Sequence, residues 1–160
     1  MYSKNLKDIQ TALLNGDYTV EDLLVFYLDN IAQQKEHNAY VQVFKDEALF
    51  QAQALDKKIK SDSESLGSLF GAVISIKDNL CYKGHSVTAG SKMLHGFVSP
   101  YSSTVVERLI QSDAIIIGTT NCDEFSMGST NETSFYGPVL NAVSKEHTPG
   151  GSTGGGAVAV

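Results

Sequence analysis

Leu69-Phe70-Gly71-Ala72-Val73-Ile74-Ser75-Ile76 ends in Lys77-Asp78-Asn79, and its partner in kind is Asp113-Ala114-Ile115-Ile116-Ile117-Gly118. Both are short, nearly unbroken apolar runs rich in β-branched residues, bounded by turn-forming polar groups. That pattern predicts strands covered on both faces. Between them, Ser103 or Thr104 can start a helix that carries Val105, Val106, Leu109 and Ile110 at helical spacing. A helix joining two such strands is a β-α-β unit, which predicts an α/β architecture.

Upstream, the first 65 residues read as helical. Leu6, Ile9, Leu13 and Leu14 fall on one face, and Gly16 stands where a helix would end. Thr19 offers an N-cap with Asp22 as its capping-box partner, ahead of Val20, Leu23, Leu24, Tyr27, Leu28 and Ile31. Tyr40-Val41-Gln42-Val43-Phe44 alternates as a strand does. Asp46 is placed to cap a third helix bearing Leu49, Ala52, Leu55 and Ile59, and Ser61–Ser65 reads as an exposed loop. The expected organisation is one domain, 1–160, with a helical region at 1–65 and a β-α-β core with a Gly/Ser-rich loop at 66–160.

Composition removes several function classes. The net charge of −6 disfavours direct binding of nucleic acid by this chain, because phosphate contacts need a basic surface. Cys81 and Cys122 fit no paired motif and read as free thiols. His37, His85, His95 and His147 lack metal-ligand spacing. No apolar run approaches the roughly 18 residues of a membrane span. Lys4, Lys7 and Asp8 sit in an amphipathic pattern unlike a targeting peptide. Together these predict a cytoplasmic protein with no membrane association.

The chemistry concentrates in Gly150-Gly151-Ser152-Thr153-Gly154-Gly155-Gly156. Glycine serves where the backbone takes positive φ or approaches another group closely, so this is a loop built to hold a hydroxyl. Lys77, ending an apolar strand, is the second candidate. Desolvation disfavours an ammonium and turns a lysine towards a base, and Asp78 and Asn79 beside it could orient it by hydrogen bonds. Gly150–Gly154 also fits G-x-S-x-G, but the nucleophile elbow requires a strand leading into the serine. Ser144-Lys145-Glu146-His147-Thr148-Pro149 is polar and ends in proline. G-x-x-x-x-G-K-[ST], G-x-G-x-x-G and Ser-x-x-Lys are all absent.

Gly150–Val160 resembles the glycine/serine-rich signature of the amidase signature family. Asn121-Cys122-Asp123-Glu124-Phe125-Ser126-Met127-Gly128-Ser129-Thr130-Asn131-Glu132-Thr133-Ser134 resembles, more narrowly, that family's tRNA-dependent amidotransferase branch. The resemblance extends over nearly the whole chain, including Val73–Asn79 and Gly118–Asn121. It implies an amidase signature fold left incomplete, a mixed and mostly parallel sheet flanked by helices. It implies a Ser-cisSer-Lys triad in which Lys77 is the catalytic lysine and Ser152 the bridging serine after a cis peptide. Gly151 eases that bond and, with Met127, Gly128 and Ser129, is implied to line the substrate pocket, the last three as its wall.

The implied activity is hydrolysis of glutamine to supply ammonia for amidating Glu-tRNA(Gln). The alternatives are a free-standing amidase acting on a small amide, or a truncated module that binds a partner. The implied partners are the other subunits of an amidotransferase complex. One of them would make most of the contacts with Glu-tRNA(Gln) and use ATP and magnesium, leaving this chain without a cofactor. Two features depart from the family pattern: Thr153 and Gly156 stand where serines are common. The family also places its nucleophilic serine in a second Gly-Gly-Ser segment further along. A chain ending at Val160 is therefore expected to be an inactive N-terminal fragment.

Overall fold

The computed structural model describes Tyr2 and residues 5–160; Lys4 lies outside the described residues. The order of elements is α1 (Leu6–Asn15), α2 (Val20–Gln33), β1 (Tyr40–Val43), α3 (Lys45–Ser61), β2 (Val73–Lys77), α4 (Thr104–Gln111), β3 (Ile115–Thr120) and α5 (Gly154–Ala159). The chain divides into two compact units. One comprises Met1–Gln33, Phe44–Ile74 and Glu107–Ile117; the other comprises Gln34–Val43, Ser75–Val106 and Gly118–Val160.

In the first unit, α1 buries Ile9 and Leu13, while Leu14 turns outward, against the sequence expectation. A stripe spaced at three and four residues covers only one face, and Leu14 falls one step past its edge. Gly16 closes α1 at φ 75, and its N–H returns to the carbonyls of Ala12 and Leu13. At the start of α2, the Asp22 N–H donates to Thr19 Oγ1 at 3.0 Å, and the Thr19 N–H donates to Asp22 Oδ2 at 2.9 Å. The capping box is therefore formed. Two more amides of that turn, Val20 and Glu21, donate to the carboxylate of Asp56 on α3 at 2.8 and 3.1 Å.

Val20, Leu23, Leu24 and Leu28 of α2 pack with Ala48, Ala52 and Leu55 of α3 in the core. The expected cap of α3 is not Asp46: the helix begins at Lys45 behind Phe44, without a side-chain cap, and Asp46 lies inside the first turn. There its charge still complements the helix dipole. Asp113, at φ 64, accepts from Lys58 Nζ at 2.6 Å and from the Gly67 N–H, tying the start of β3 to the loop before β2.

The strands lie in the order β1-β3-β2. β1 pairs antiparallel with β3 through Tyr40↔Thr120, Gln42↔Thr119 and Val43↔Gly118, with an irregularity between Tyr40 and Gln42. The Ile115 N–H donates to the Ala72 carbonyl and the Asp78 N–H to the Thr120 carbonyl, so β2 and β3 run parallel. The mixed α/β fold class is as expected, with α4 as the crossover helix. Every residue of β3 is buried, as a central strand requires. β2 differs from expectation: only Ile76 is fully buried, because β2 occupies an outer place in the strand order. Its strand also starts at Val73 rather than Leu69, since the chain turns at Gly71 with φ 80.

Candidate active site

β2 ends at Lys77, whose half-buried side chain reaches towards the Gly-rich loop. Lys77 Nζ lies 2.6 Å from Ser152 Oγ, the one donating to the other across 75 residues of chain. The peptide bond between Gly151 and Ser152 is cis. No strand runs into Ser152 from residues 141–150, so the arrangement is not a nucleophile elbow.

The loop is held by what surrounds β3. After Thr120 the chain enters Asn121 and Asp123, both fully buried. The Asp123 N–H donates to the Ser152 carbonyl at 3.2 Å. Asn121 Oδ1 accepts from Ser134 Oγ at 2.6 Å, and its amide nitrogen donates to the carbonyls of Asn38 and Gly137, each at 3.2 Å. The Gly155 N–H donates to the Asn121 carbonyl and to Asn131 Oδ1. A Cβ on Gly155 would stand 2.5 Å from the carbonyl oxygens of Ala39 and Asn121. One on Gly151 would collide with Asp123 Oδ2 and stand 2.7 Å from the backbone of Ser129 and Thr130. Close approach is the reason for glycine at these two positions. α5 begins at Gly154, so Gly155 and Gly156 both lie in its first turn.

The two buried aspartates near the pair differ. Asp123 accepts from the Asn131 N–H at 2.9 Å, from Thr133 Oγ1 at 2.9 Å and from the Thr133 N–H at 3.4 Å. Burial pushes its pKa up, but the hydrogen bonds from Asn131, Thr133 and Glu132 outweigh it and hold the carboxyl below its ordinary value. Asp78 receives Thr88 Oγ1 and the Gly90 N–H on Oδ2 alone, and its Oδ1 is buried without a partner. There burial prevails and the pKa is raised. Burial, and then the charge of Asp78, likewise pushes the Cys122 thiol up to about 11. Cys81 is half-buried, and both cysteines are free thiols.

Neither Asp78 nor Asn79 orients Lys77 in the expected way. β2 ends at Lys77 and the chain turns at once, the Leu80 N–H donating to the Lys77 carbonyl, so the next two side chains leave the direction of the strand-end lysine. Asp78 turns to Thr88 and Gly90, while Asn79 Nδ2 donates to Ser126 Oγ at 2.9 Å. Met127, Gly128 and Ser129 form an exposed loop, with Met127 83% accessible. Gly128 packs on the Asp123 carboxylate and the Ser129 backbone beside Gly151, so the loop adjoins the pair through backbone rather than side chains. Sequence reading missed Asp123, Asn121, Asn131 and Thr133 as the scaffold. The available signal was four hydrogen-bonding residues within 13 positions directly after a fully buried strand.

A lysine amine within hydrogen-bond reach of a serine hydroxyl can exchange a proton with it. In its neutral form the amine is a base for that hydroxyl; in its charged form it is the donor of the 2.6 Å contact. Among the described residues no group of three or more His, Cys, Asp or Glu side chains could hold a metal ion.

Residues 22–160 match the family model described as Amidase. The chain belongs to the amidase family. It is 42% identical, over 160 residues, to a glutamyl-tRNA(Gln) amidotransferase subunit of Chlorobium phaeobacteroides (strain BS1), matching 100% of this chain and 33% of that protein. Among solved structures it is similar to the native peptide amidase from Stenotrophomonas maltophilia, with a TM-score of 0.88, 29% identity, and 99% of this chain and 34% of that one covered. It is also similar to the corresponding glutamyl-tRNA(Gln) amidotransferase subunit from Thermotoga maritima, with a TM-score of 0.74, 28% identity, and 99% of this chain and 33% of that one covered. The chain thus spans about a third of the length of the curated relatives it matches. The amidase signature resemblance and the mixed α/β fold are both shown by these likenesses.

Proposed function

We propose that this chain supplies the base and the bridging serine of a glutamine amidohydrolase that delivers ammonia for converting Glu-tRNA(Gln) to Gln-tRNA(Gln). The observation that carries this reading is the 2.6 Å contact between Lys77 Nζ and Ser152 Oγ. The likeness to glutamyl-tRNA(Gln) amidotransferase, which runs the entire length of the chain, supports glutamine as the substrate.

In the proposed reaction a neutral Lys77 accepts the proton of the Ser152 hydroxyl as Ser152 takes one from a nucleophilic serine. That serine attacks the side-chain carbonyl carbon of glutamine, forming a C–O bond. The C–N bond then breaks, and the departing nitrogen receives the proton back through Ser152 and leaves as ammonia. Water, deprotonated along the same route, cleaves the ester and releases glutamate. We assign the nucleophile to the second Gly-Gly-Ser segment that the amidase signature resemblance implies and that these 160 residues do not contain. The 160-residue chain alone is therefore expected to be inactive.

Met127, Gly128 and Ser129 are assigned to the wall of the amide pocket, on the ground that the Ser129 backbone lies against Gly151. The remaining subunits of the complex, the contacts with Glu-tRNA(Gln), and ATP with its magnesium are assigned to partners, and the setting to the cytoplasm. No helix among the described residues is long and apolar enough to cross a membrane.

The test is ammonia release from glutamine by the full-length protein in its complex. Lys77→Ala should lower kcat by about a thousandfold or more, as loss of one member of a concerted unit does. Activity retained by that variant would refute the assignment of Lys77. Ser129→Ala should raise KM for glutamine about threefold to tenfold with kcat nearly unchanged, the signature of lost ground-state binding. An unchanged KM would refute a role for the Ser129 hydroxyl in binding glutamine.

A further inference from the structure

We propose that Asp123 is the positioning residue of the Lys77–Ser152 pair: its carboxylate gathers the loop 124–133 into a seat that fixes the Gly151–Ser152 backbone. This inference rests on the reading of Lys77 and Ser152 given above.

Three observations meet at this residue. Its side chain is completely buried, and its partners are loop donors, namely the Asn131 N–H, the Thr133 N–H and Thr133 Oγ1. These bonds fold ten residues of chain back on one carboxylate, through Phe125, Ser126 and Asn131 in the left-handed region. The same carboxylate is the surface on which Gly128 and Gly151 lie, each too close to carry a Cβ. On the other side, the Asp123 backbone N–H donates to the Ser152 carbonyl. Asp123 therefore touches both residues of the Gly151–Ser152 peptide without touching the Ser152 hydroxyl.

The physical consequence is a rigid mount. A buried carboxylate without its donors would be costly, so the loop has one favourable arrangement, the one that satisfies them. Ser152 Oγ must stay within hydrogen-bond reach of Lys77 Nζ while protons pass in both directions. A displacement of about 1 Å in such a group can cost about a hundredfold in rate. Asp123 acts on the reaction only through that placement.

The test compares Asp123→Asn, Thr133→Val, Thr133→Ser and Lys77→Ala in the full-length protein within its complex, read by steady-state ammonia release and by crystal structures of the variants. Asp123→Asn is expected to lower kcat about a hundredfold with KM within about threefold of wild type. Thr133→Val should lower kcat in the same way by a smaller factor, about tenfold, and Thr133→Ser, which keeps the hydroxyl, should restore it. Adding Asp123→Asn to Lys77→Ala should change kcat no further, whereas a merely structural role would lower both backgrounds alike. An Asp123→Asn enzyme with wild-type kcat, beside an inactive Lys77→Ala, would overturn the proposal. If Lys77→Ala were active, the reading of the pair would fall. The seat would then be judged by the Lys77 Nζ–Ser152 Oγ separation in the Asp123→Asn crystal structure, where widening upholds it and an unchanged distance overturns it. Should Asp123→Asn not fold, the Thr133 variants decide: a wild-type kcat in Thr133→Val overturns the proposal.

Discussion

Asp78 and Asp123 are both completely buried, both close to the Lys77–Ser152 pair, and opposite in electrostatic character. Asp123 is surrounded by donors on both oxygens and sits below its ordinary pKa. Asp78 has its donors on one oxygen, leaves the other without a partner and sits above it. Depth alone would have pushed both the same way. The number and placement of donors decides which buried carboxylate keeps its charge, because each N–H or O–H aimed at the anion replaces part of its lost hydration.

The largest effect should come from filling the space beside Asp123. Gly151→Ala is expected to destabilise the purified protein by about 3 kcal/mol in chemical denaturation, since the clashing atoms are a held carboxylate and backbone. Combining it with Asp123→Ala should make the two penalties less than additive, because the first obstacle is then gone. Strict additivity would show that Gly151 is constrained by Ser129 and Thr130 alone.

Replacing the aspartates themselves should separate them next. Asp123→Asn turns an amide NH2 towards N–H donors and is expected to cost about 2 kcal/mol at neutral pH. Asp78→Asn can keep its carbonyl on Thr88 and Gly90 while placing NH2 at the unpartnered position, and should change stability by less than about 1 kcal/mol. The pH dependence should have opposite signs. A depressed folded pKa makes the Asp123 contribution full above the ordinary aspartate value of about 3.9 and lost as pH falls through its lower folded value. A raised folded pKa makes Asp78 cost stability as pH rises from about 3.9 to its higher folded value, with no further change beyond. Denaturation midpoints of wild type and both variants across acidic pH measure this. Parallel curves for the two variants would break the comparison.

The smallest effect concerns Cys122, which feels both charges. With its thiol pushed up to about 11 and buried, it should resist alkylation under native conditions, while half-buried Cys81 reacts first. Asp78→Asn should lower the Cys122 pKa more than Asp123→Asn does, since Asp78 acts on the thiol more strongly. Mass-resolved labelling rates against pH would show it, and the reverse order would mean that Asp123 dominates the local field.

What the sequence determined by itself was whatever depends on neighbours in the chain. The runs at Val73–Ile76 and Ile115–Ile117, the Thr19–Asp22 capping box and the turn at Gly16 are set by residue spacing and local φ preference, and they were legible without coordinates. Lys77 and Ser152 were legible as candidates because a lysine ending an apolar strand and a hydroxyl among glycines are locally unusual. Only the tertiary structure decided their 2.6 Å meeting, the Asp56 carboxylate on the amides of α2, and the seat that Asp123 builds beneath Gly151. Those contacts join groups distant in sequence. Whether a buried polar group finds its donors depends on how whole elements pack, and residue order alone does not encode that.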